Sequence, residues 1–284
     1  TQLRFSNFVP TNVAGEVEGL AALSTLNIPI SGIVNFTIDG SFELPVFDFE
    51  VDFGEGVINP ADLFAKPVQI DEAMLIGQFI AAEDEISIES LHLMFAGAEL
   101  DGEGFISNFR DQPDVTFTAE VANMDLMDLQ TYWPKDVVVG ARTWIVRNLT
   151  GGRMTDGTLN FDVRPEMWAL DELPAESFYF DFNIVDSSAH YIKPMPQVTD
   201  VVGKASLNFQ RFLLSIESAV VEDVAVKDAE LTFANIAHKG EALAHFEIPV
   251  SGKVEDMLHL MDYQPFGYPT RYGIKENSVT GDAQ

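Results

Sequence analysis

Acid–base or metal chemistry in this chain would have to come from 45 Asp and Glu side chains and five histidines, because cysteine is absent. One candidate carboxylate group is Asp48, Glu50 and Asp52, in the stretch VFDFEVDF at residues 46–53. Two carboxylates about 5–10 Å apart in a pocket would suit glycoside hydrolysis. These three, however, alternate with Phe47, Phe49, Val51 and Phe53. In a strand they share one face, with no basic neighbour to set one apart from the others. They read as a solvated outer face that discourages edge pairing and aggregation. His92, His190, His238, His245 and His259 do not fall at metal-ligand spacing. His92 and His245 sit inside alternating runs and read as ordinary strand residues. The serine-hydrolase elbow, the zinc-protease pair, the phosphate loop and paired cysteines are all missing. GGRMTDG (151–157) echoes a calcium-binding nonapeptide, but it occurs once and lacks the glycine pattern. Neither enzymatic turnover, nor a cofactor, nor a metal is expected.

Charge removes another class of function. Sixteen basic residues against 45 acidic ones leave a net charge of −29. Such a chain is repelled by nucleic acid phosphates and by anionic membrane surfaces, so no nucleic acid partner is expected. Apolar residues make up 46%, with 22 Phe, enough for a large core or an extended apolar surface. No run of 18 apolar residues is present, so no spanning helix is expected. The abrupt, strand-like start at Thr1 is what a piece of a longer chain would show, with any export signal or anchor left outside it.

The elements that would position these residues are mostly strands. Period-two alternation recurs at 33–40, 46–53, 85–95, 114–121, 158–163, 177–185, 205–210, 213–218, 229–236 and 242–250. Between the runs, DG (39–40), GEG (54–56), DGEG (101–104) and TDG (155–157) read as hairpin turns. The fold class expected is mainly β: a long, curved, mostly antiparallel sheet with one clear amphipathic helix. That helix is PKDVVVGARTWIVRNLTGG (134–152), with Pro134 in its first turn and Gly151 or Gly152 closing it. Its apolar stripe includes Trp144, Ile145 and Leu149. Shorter helices are expected at 124–132 and 254–262. The organisation expected is a first meander over 1–122, a helical insert over 123–152, a second meander with a closing helix over 153–274, and a disordered tail over 275–284.

The apolar faces pose the central question. They carry Phe36, Ile38, Phe47, Phe49, Val51, Phe53, Ile86, Ile88, Phe117, Phe161, Phe180, Phe182, Phe209, Phe233 and Phe246. Alternation fits a closed sandwich core and an open greasy face equally well. Too few helices are available to cover so much sheet.

One segment adds a family argument. YWPKDVVVGARTWIVRNLTGGRMTDGTLNFDV (132–163) resembles the aromatic-Trp-Pro, helix, Arg-x-Trp, Gly-Gly, strand element of bacterial AsmA-like proteins of the YhdP type. VDSSAHYIKPMPQVTDVVGKASLNFQ (185–210) and FEIPVSGKVEDMLHLMDYQPFG (246–267) resemble later elements of the same family. The similarity covers roughly residues 130–268. It implies a segment of a bridge-like lipid transfer protein: periplasmic, anchored in the inner membrane through a segment outside this chain, and built as a β-groove with an apolar interior. On this resemblance the residues above line the groove, and Trp133, Trp144, Ile145 and Leu149 are expected to form a helix brace against the sheet. The implied partners are phospholipid or another acyl lipid, the remainder of the parent chain, and proteins of the inner and outer membranes. The alternative is a structural or adhesive β-domain with a closed core and no ligand.

Overall fold

The computed structural model describes residues 1–14, 24–36, 46–60, 63–108, 111–135, 137–236, 243–275 and 278–284. Ile38 and the turn at 39–40 lie outside the described residues. The protein is mainly β, with one large antiparallel sheet that does not close into a barrel.

Contacts divide the chain into two compact units. The first is residues 1–124, 131–137 and 156–180; the second is 125–130, 138–155 and 181–284. In the first unit lie β1 (Gln2–Phe8), α1 (Thr11–Ala14), β2 (Leu26–Asn27), β3 (Ile30–Phe36), β4 (Val46–Phe53), β5 (Gly56–Ile58) and β6 (Val68–Ile70). They are followed by β7 (Glu72–Ile80), β8 (Glu85–Phe95), β9 (Ala98–Ser107) and β10 (Asp114–Ala122). The chain continues through β11 (Met124–Asp125), α2 (Leu129–Tyr132), α3 (Val139–Asn148) and β12 (Leu149–Val163). It ends with β13 (Phe178–Ala189), β14 (Val198–Leu207), β15 (Arg211–Val221), β16 (Val224–Ala234), β17 (Leu243–Glu247), β18 (Val250–Lys253), α4 (Val254–Asp262), α5 (Tyr268–Tyr272) and β19 (Asp282–Ala283).

Within the first unit the hydrogen-bonded order is β1-β3-β4-β7-β8-β9-β10-β12, while β2, β5 and β6 form a separate small sheet. Many buried residues of this unit lie near one end of the large sheet, Val68, Ile70, Ala73, Phe95, Ala98, Val121 and Met124 among them, while Ala119 and Val163 are buried away from that end. The Phe95 ring packs on Tyr132 with centroids 4.6 Å apart, and the Tyr132 hydroxyl donates to the Gln69 carbonyl at 3.1 Å. The Gln69 carbonyl at that end is therefore paired within the protein.

In the second unit β14, β15 and β16 bury Val201, Ile216, Ala219, Val221, Val226 and Ala229, with Leu260 of α4 packed against them. This part of the sheet has a covered core. α4 matches the predicted 254–262 helix in full.

Several elements differ from expectation, each for a physical reason. α3 runs only over Val139–Asn148, after Val138 in the left-handed region at φ 42°. Val137 and Val138 precede it and Val139 opens it, a run of valines that lose rotamer freedom in a helix. Leu149 is extended and opens β12, so it is a strand residue rather than part of a helical brace. Gly151 and Gly152 do not close the helix. At Gly152, φ is +127° and a Cβ would stand 2.6 Å from Ser187 Cα, so glycine there permits close strand approach. The 124–132 segment forms only β11, a single 3-10 turn and the short α2. Gly102 and Gly104 lie inside β9, and the 155–157 stretch lies inside β12, rather than in turns. Phe209 falls in the turn between β14 and β15. In the tail, Asp282 and Ala283 pair with Lys253 and Gly252 as β19.

Candidate functional site

The strand registers of the first unit place its apolar residues in four rows that cross the sheet. Directly opposed residues in an antiparallel pair share a face. The first row is Phe36–Phe47–Phe79–Ile86–Ile106–Val115–Val163. The second is Val34–Phe49–Gly77–Ile88–Gly104–Phe117–Phe161. The third is Gly32–Val51–Leu75–Leu91–Gly102–Ala119–Leu159, with Phe5 of β1 opposite Gly32. The fourth is Ile30–Phe53–Ala73–Leu93–Leu100–Val121–Gly157. Phe36, Phe47, Phe49, Val51, Phe53, Ile86, Ile88, Phe117 and Phe161, singled out from alternation alone, all fall in these rows.

Burial separates this surface from a closed core. Phe36, Phe47, Phe49, Phe53, Phe79, Phe117 and Phe161 are all only half-buried. A residue inside a packed sandwich is normally enclosed on all sides by 6–12 neighbours. Here the rings are covered from the sheet side and from their flanks. Phe47 and Phe79 pair across strands with centroids 4.8 Å apart, and Phe47 meets Phe49 at 6.5 Å. Other rings lie over glycines. A Cβ built on Gly77 would stand 2.8 Å from Phe49 Cζ, and one on Gly102 would stand 2.8 Å from Phe117 Cζ.

The opposite face is polar. Asp48, Glu50 and Asp52 are exposed, and the Gln78 amide donates to Asp48 at 2.7 Å. On the same face His92 of β8 opposes Asp101 of β9. Its Nδ1 hydrogen-bonds Asp101 Oδ1 at 2.8 Å and lies 3.9 Å from Glu99 Oε1. His92, Glu99 and Asp101 are the one grouping among the described residues whose ligand atoms are close enough to share an ion. The sequence hides this trio because two members lie on the neighbouring strand. The hydrogen bond explains the arrangement without an ion.

That hydrogen bond to Asp101 outweighs the penalty of burial and, with the negative charges of Asp101, Glu99 and Glu72, holds the His92 pKa above its ordinary value. The stabilisation is fully present below the unfolded pKa of about 6.5. It is lost as pH rises through the raised folded value. Between pH 6 and 8 the wild type is expected to lose more thermal stability than His92→Gln. Parallel slopes in a pH series of melting curves would remove the assignment.

The other nominated residues lie elsewhere. Phe180 is half-buried in β13 and belongs to the first unit. Trp133 also belongs to the first unit, whereas Phe182, Phe209, Phe233, Phe246, Trp144, Ile145 and Leu149 belong to the second. Phe182 is buried at 8% exposure and Phe246 is open at 47%. Phe233 joins an aromatic group with Phe212 at 6.0 Å, Phe246 at 5.6 Å and Trp144 of α3 at 6.4 Å. Trp144 thus meets a ring of β16, while Ile145 is half-buried beside it in sequence. Trp133 donates its indole N–H to the Val137 carbonyl at 2.7 Å, inside its own loop.

The face thus carries half-buried phenylalanines beside buried Ala73, Ala119, Val121 and Val163, and its reverse carries exposed carboxylates. Comparison with known proteins bears on whose surface it is. The model of the family described as YhdP protein matches residues 16–284. The chain belongs to the YhdP family. That family comprises bacterial envelope proteins of non-enzymatic lipid transport. No curated protein matches the chain significantly, and neither does any solved structure. In this YhdP-family chain, no described helix is long and apolar enough to cross a membrane.

Proposed function

We propose that this chain is a segment of a lipid-transfer conduit and that the four-row face of its first unit shields phospholipid acyl chains from water. The observation that carries the reading is the half-exposure of every phenylalanine in the four rows. Each buried methylene gains about 0.8 kcal/mol. A chain of about ten methylenes half-covered by this face gains about 4 kcal/mol. Neighbouring positions along a row are chemically alike, so a tail shifts between them without a large barrier. The acidic reverse favours water and resists adhesion to anionic headgroups.

The parent protein then lies in the periplasm, anchored to the inner membrane through a segment not in this chain, and works with inner- and outer-membrane proteins. The chain itself performs no chemical turnover. In the second unit the covered core around Val201 and Ile216 favours a structural role for that part of the sheet.

The test is to purify the chain from bacteria, analyse bound lipid by mass spectrometry and follow uptake of a fluorescent phospholipid. Stoichiometric phospholipid and saturable uptake are expected. A folded chain that carries no lipid and takes none up would leave a structural β-domain as the better account.

A further inference from the structure

The four rows differ in relief, and the difference has a direction. The first row contains no glycine or alanine, and Phe47 and Phe79 pair there as a ridge. The second and third rows contain Gly77, Gly104, Gly32 and Gly102. A phenyl ring from a neighbouring strand lies in each of these gaps. Phe5 Cζ stands 3.0 Å from where a Gly32 Cβ would be. The corresponding distance from Phe49 Cζ to Gly77 is 2.8 Å, and Phe117 reaches both Gly102 at 2.8 Å and Gly104 at 3.1 Å. Phe5, Phe49 and Phe117 directly oppose Gly32, Gly77 and Gly104 in the ladder. Each ring therefore leans across its neighbour strand, Phe5 and Phe49 along their own rows and Phe117 diagonally from the second row toward the third, and occupies space that a side chain would otherwise fill. A ring lying flat adds about one carbon contact distance of height, ~3.5–4 Å, where an upright one would project further.

The middle rows consequently form a shallow furrow. The Phe47–Phe79 ridge bounds it on one side; the end of the sheet where Ala73 and Val121 are buried bounds it on the other. We infer that the glycine-seated rings of Phe5, Phe49 and Phe117 set the clearance of this furrow and direct an acyl chain across the strands rather than along one. The inference rests on the conduit reading and specifies how the ligand lies. From β3 to β12 the furrow crosses seven strands, a span of about 29 Å at ~4.8 Å per strand. One leaflet of a bilayer is about 15 Å of hydrocarbon, half of a ~30 Å core. A single tail therefore fits with room to slide.

Gly102 is the most informative position. The nearest atom to an added methyl there is the far end of the Phe117 ring, at 2.8 Å; backbone follows, with the Thr118 carbonyl oxygen at 3.0 Å. Gly102→Ala should lift that ring into the furrow, and Phe117→Ala in the same chain should clear it again. The experiment uses phosphatidylglycerol carrying a diazirine midway along one acyl chain, with crosslinks mapped by mass spectrometry. In the wild type, crosslinks are expected on at least three strands within the middle rows, including Val34, Leu75 and Ile88. In Gly102→Ala, crosslinks to β9, β10 and β12 are expected to fall at least fivefold while those to β3, β4 and β7 persist. Gly102→Ala/Phe117→Ala restores them. Wild-type crosslinks confined to a single strand, or a Gly102→Ala map identical to wild type, overturn the inference and leave the conduit intact. No crosslinking at all in the wild type overturns the conduit reading itself. The wild-type map decides the direction even if Gly102→Ala fails to fold.

Discussion

Phe49→Asp is expected to empty the face of lipid while leaving the strand in place. Phe49 stands in the second row, between Val34 and Gly77, with its ring half-buried. An aspartate there would be dehydrated beneath an acyl chain or would hold water in the furrow. Burying an unpaired carboxylate costs several kcal/mol. At 1.4 kcal/mol per tenfold, lipid retention should fall by about a hundredfold or more. Asp48→Asn, on the opposite face of the same strand, is the control and should retain lipid normally. The measurement is lipid per chain after purification, with circular dichroism to establish the fold. A folded Phe49→Asp chain that keeps wild-type lipid would mean that hydrocarbon does not touch this row.

Gly77→Val should give the largest loss of stability among single glycine replacements in the middle rows. A Cβ at this position would collide with the Ser87 carbonyl oxygen, which is backbone, and stand 2.8 Å from Phe49 Cζ. Neither neighbour yields cheaply, because the Ser87 strand is tied into the ladder on both sides. Overpacking of this kind costs about 1–3 kcal/mol and occasionally more. We expect the upper part of that range, read as a lower midpoint in urea. Gly140→Ala is the contrasting case. It lies in α3, its nearest neighbour is the Ile236 carbonyl oxygen at 3.5 Å, and its φ is not positive. There the lower unfolded-state entropy and better helix propensity should stabilise by up to about 1 kcal/mol. Opposite signs for two glycine replacements would separate seats from ordinary glycines; equal effects would count against the seats.

Strands whose two faces differ sharply were legible from the sequence. VFDFEVDF becomes β4 over its full length, and EISIESLHLMF becomes β8. Face membership followed too, since a period of two fixes it wherever no bulge intervenes. Glycine was where the reading failed. DGEG looked like a turn because Gly next to Asp or Asn is the common hairpin signal. In the structure Gly102 and Gly104 are interior strand positions beneath Phe117. The two uses of glycine share a local composition and differ only in what arrives from the next strand. The helix was overextended for a related reason. Its spacing through Leu149 fits a helical stripe, yet Leu149 and Thr150 already belong to β12, where Thr150 pairs with Ser188 at 2.9 Å. Whether the apolar face was open or packed was not legible at all. Alternation reports which side of a strand is oily, while cover depends on elements distant in the chain, as the contrast between half-buried Phe49 and buried Phe182 illustrates.

The seated rings have a consequence for how such a protein can change over time. A wall that needs only to be oily and level restricts volume tightly at Gly32, Gly77, Gly102 and Gly104. Elsewhere on it, exchanges among leucine, isoleucine, valine and methionine of similar bulk cost little. Lineages of this wall can drift widely in spelling while keeping the same profile underfoot, and the few positions that must stay bare would mark its path more faithfully than any of its large residues.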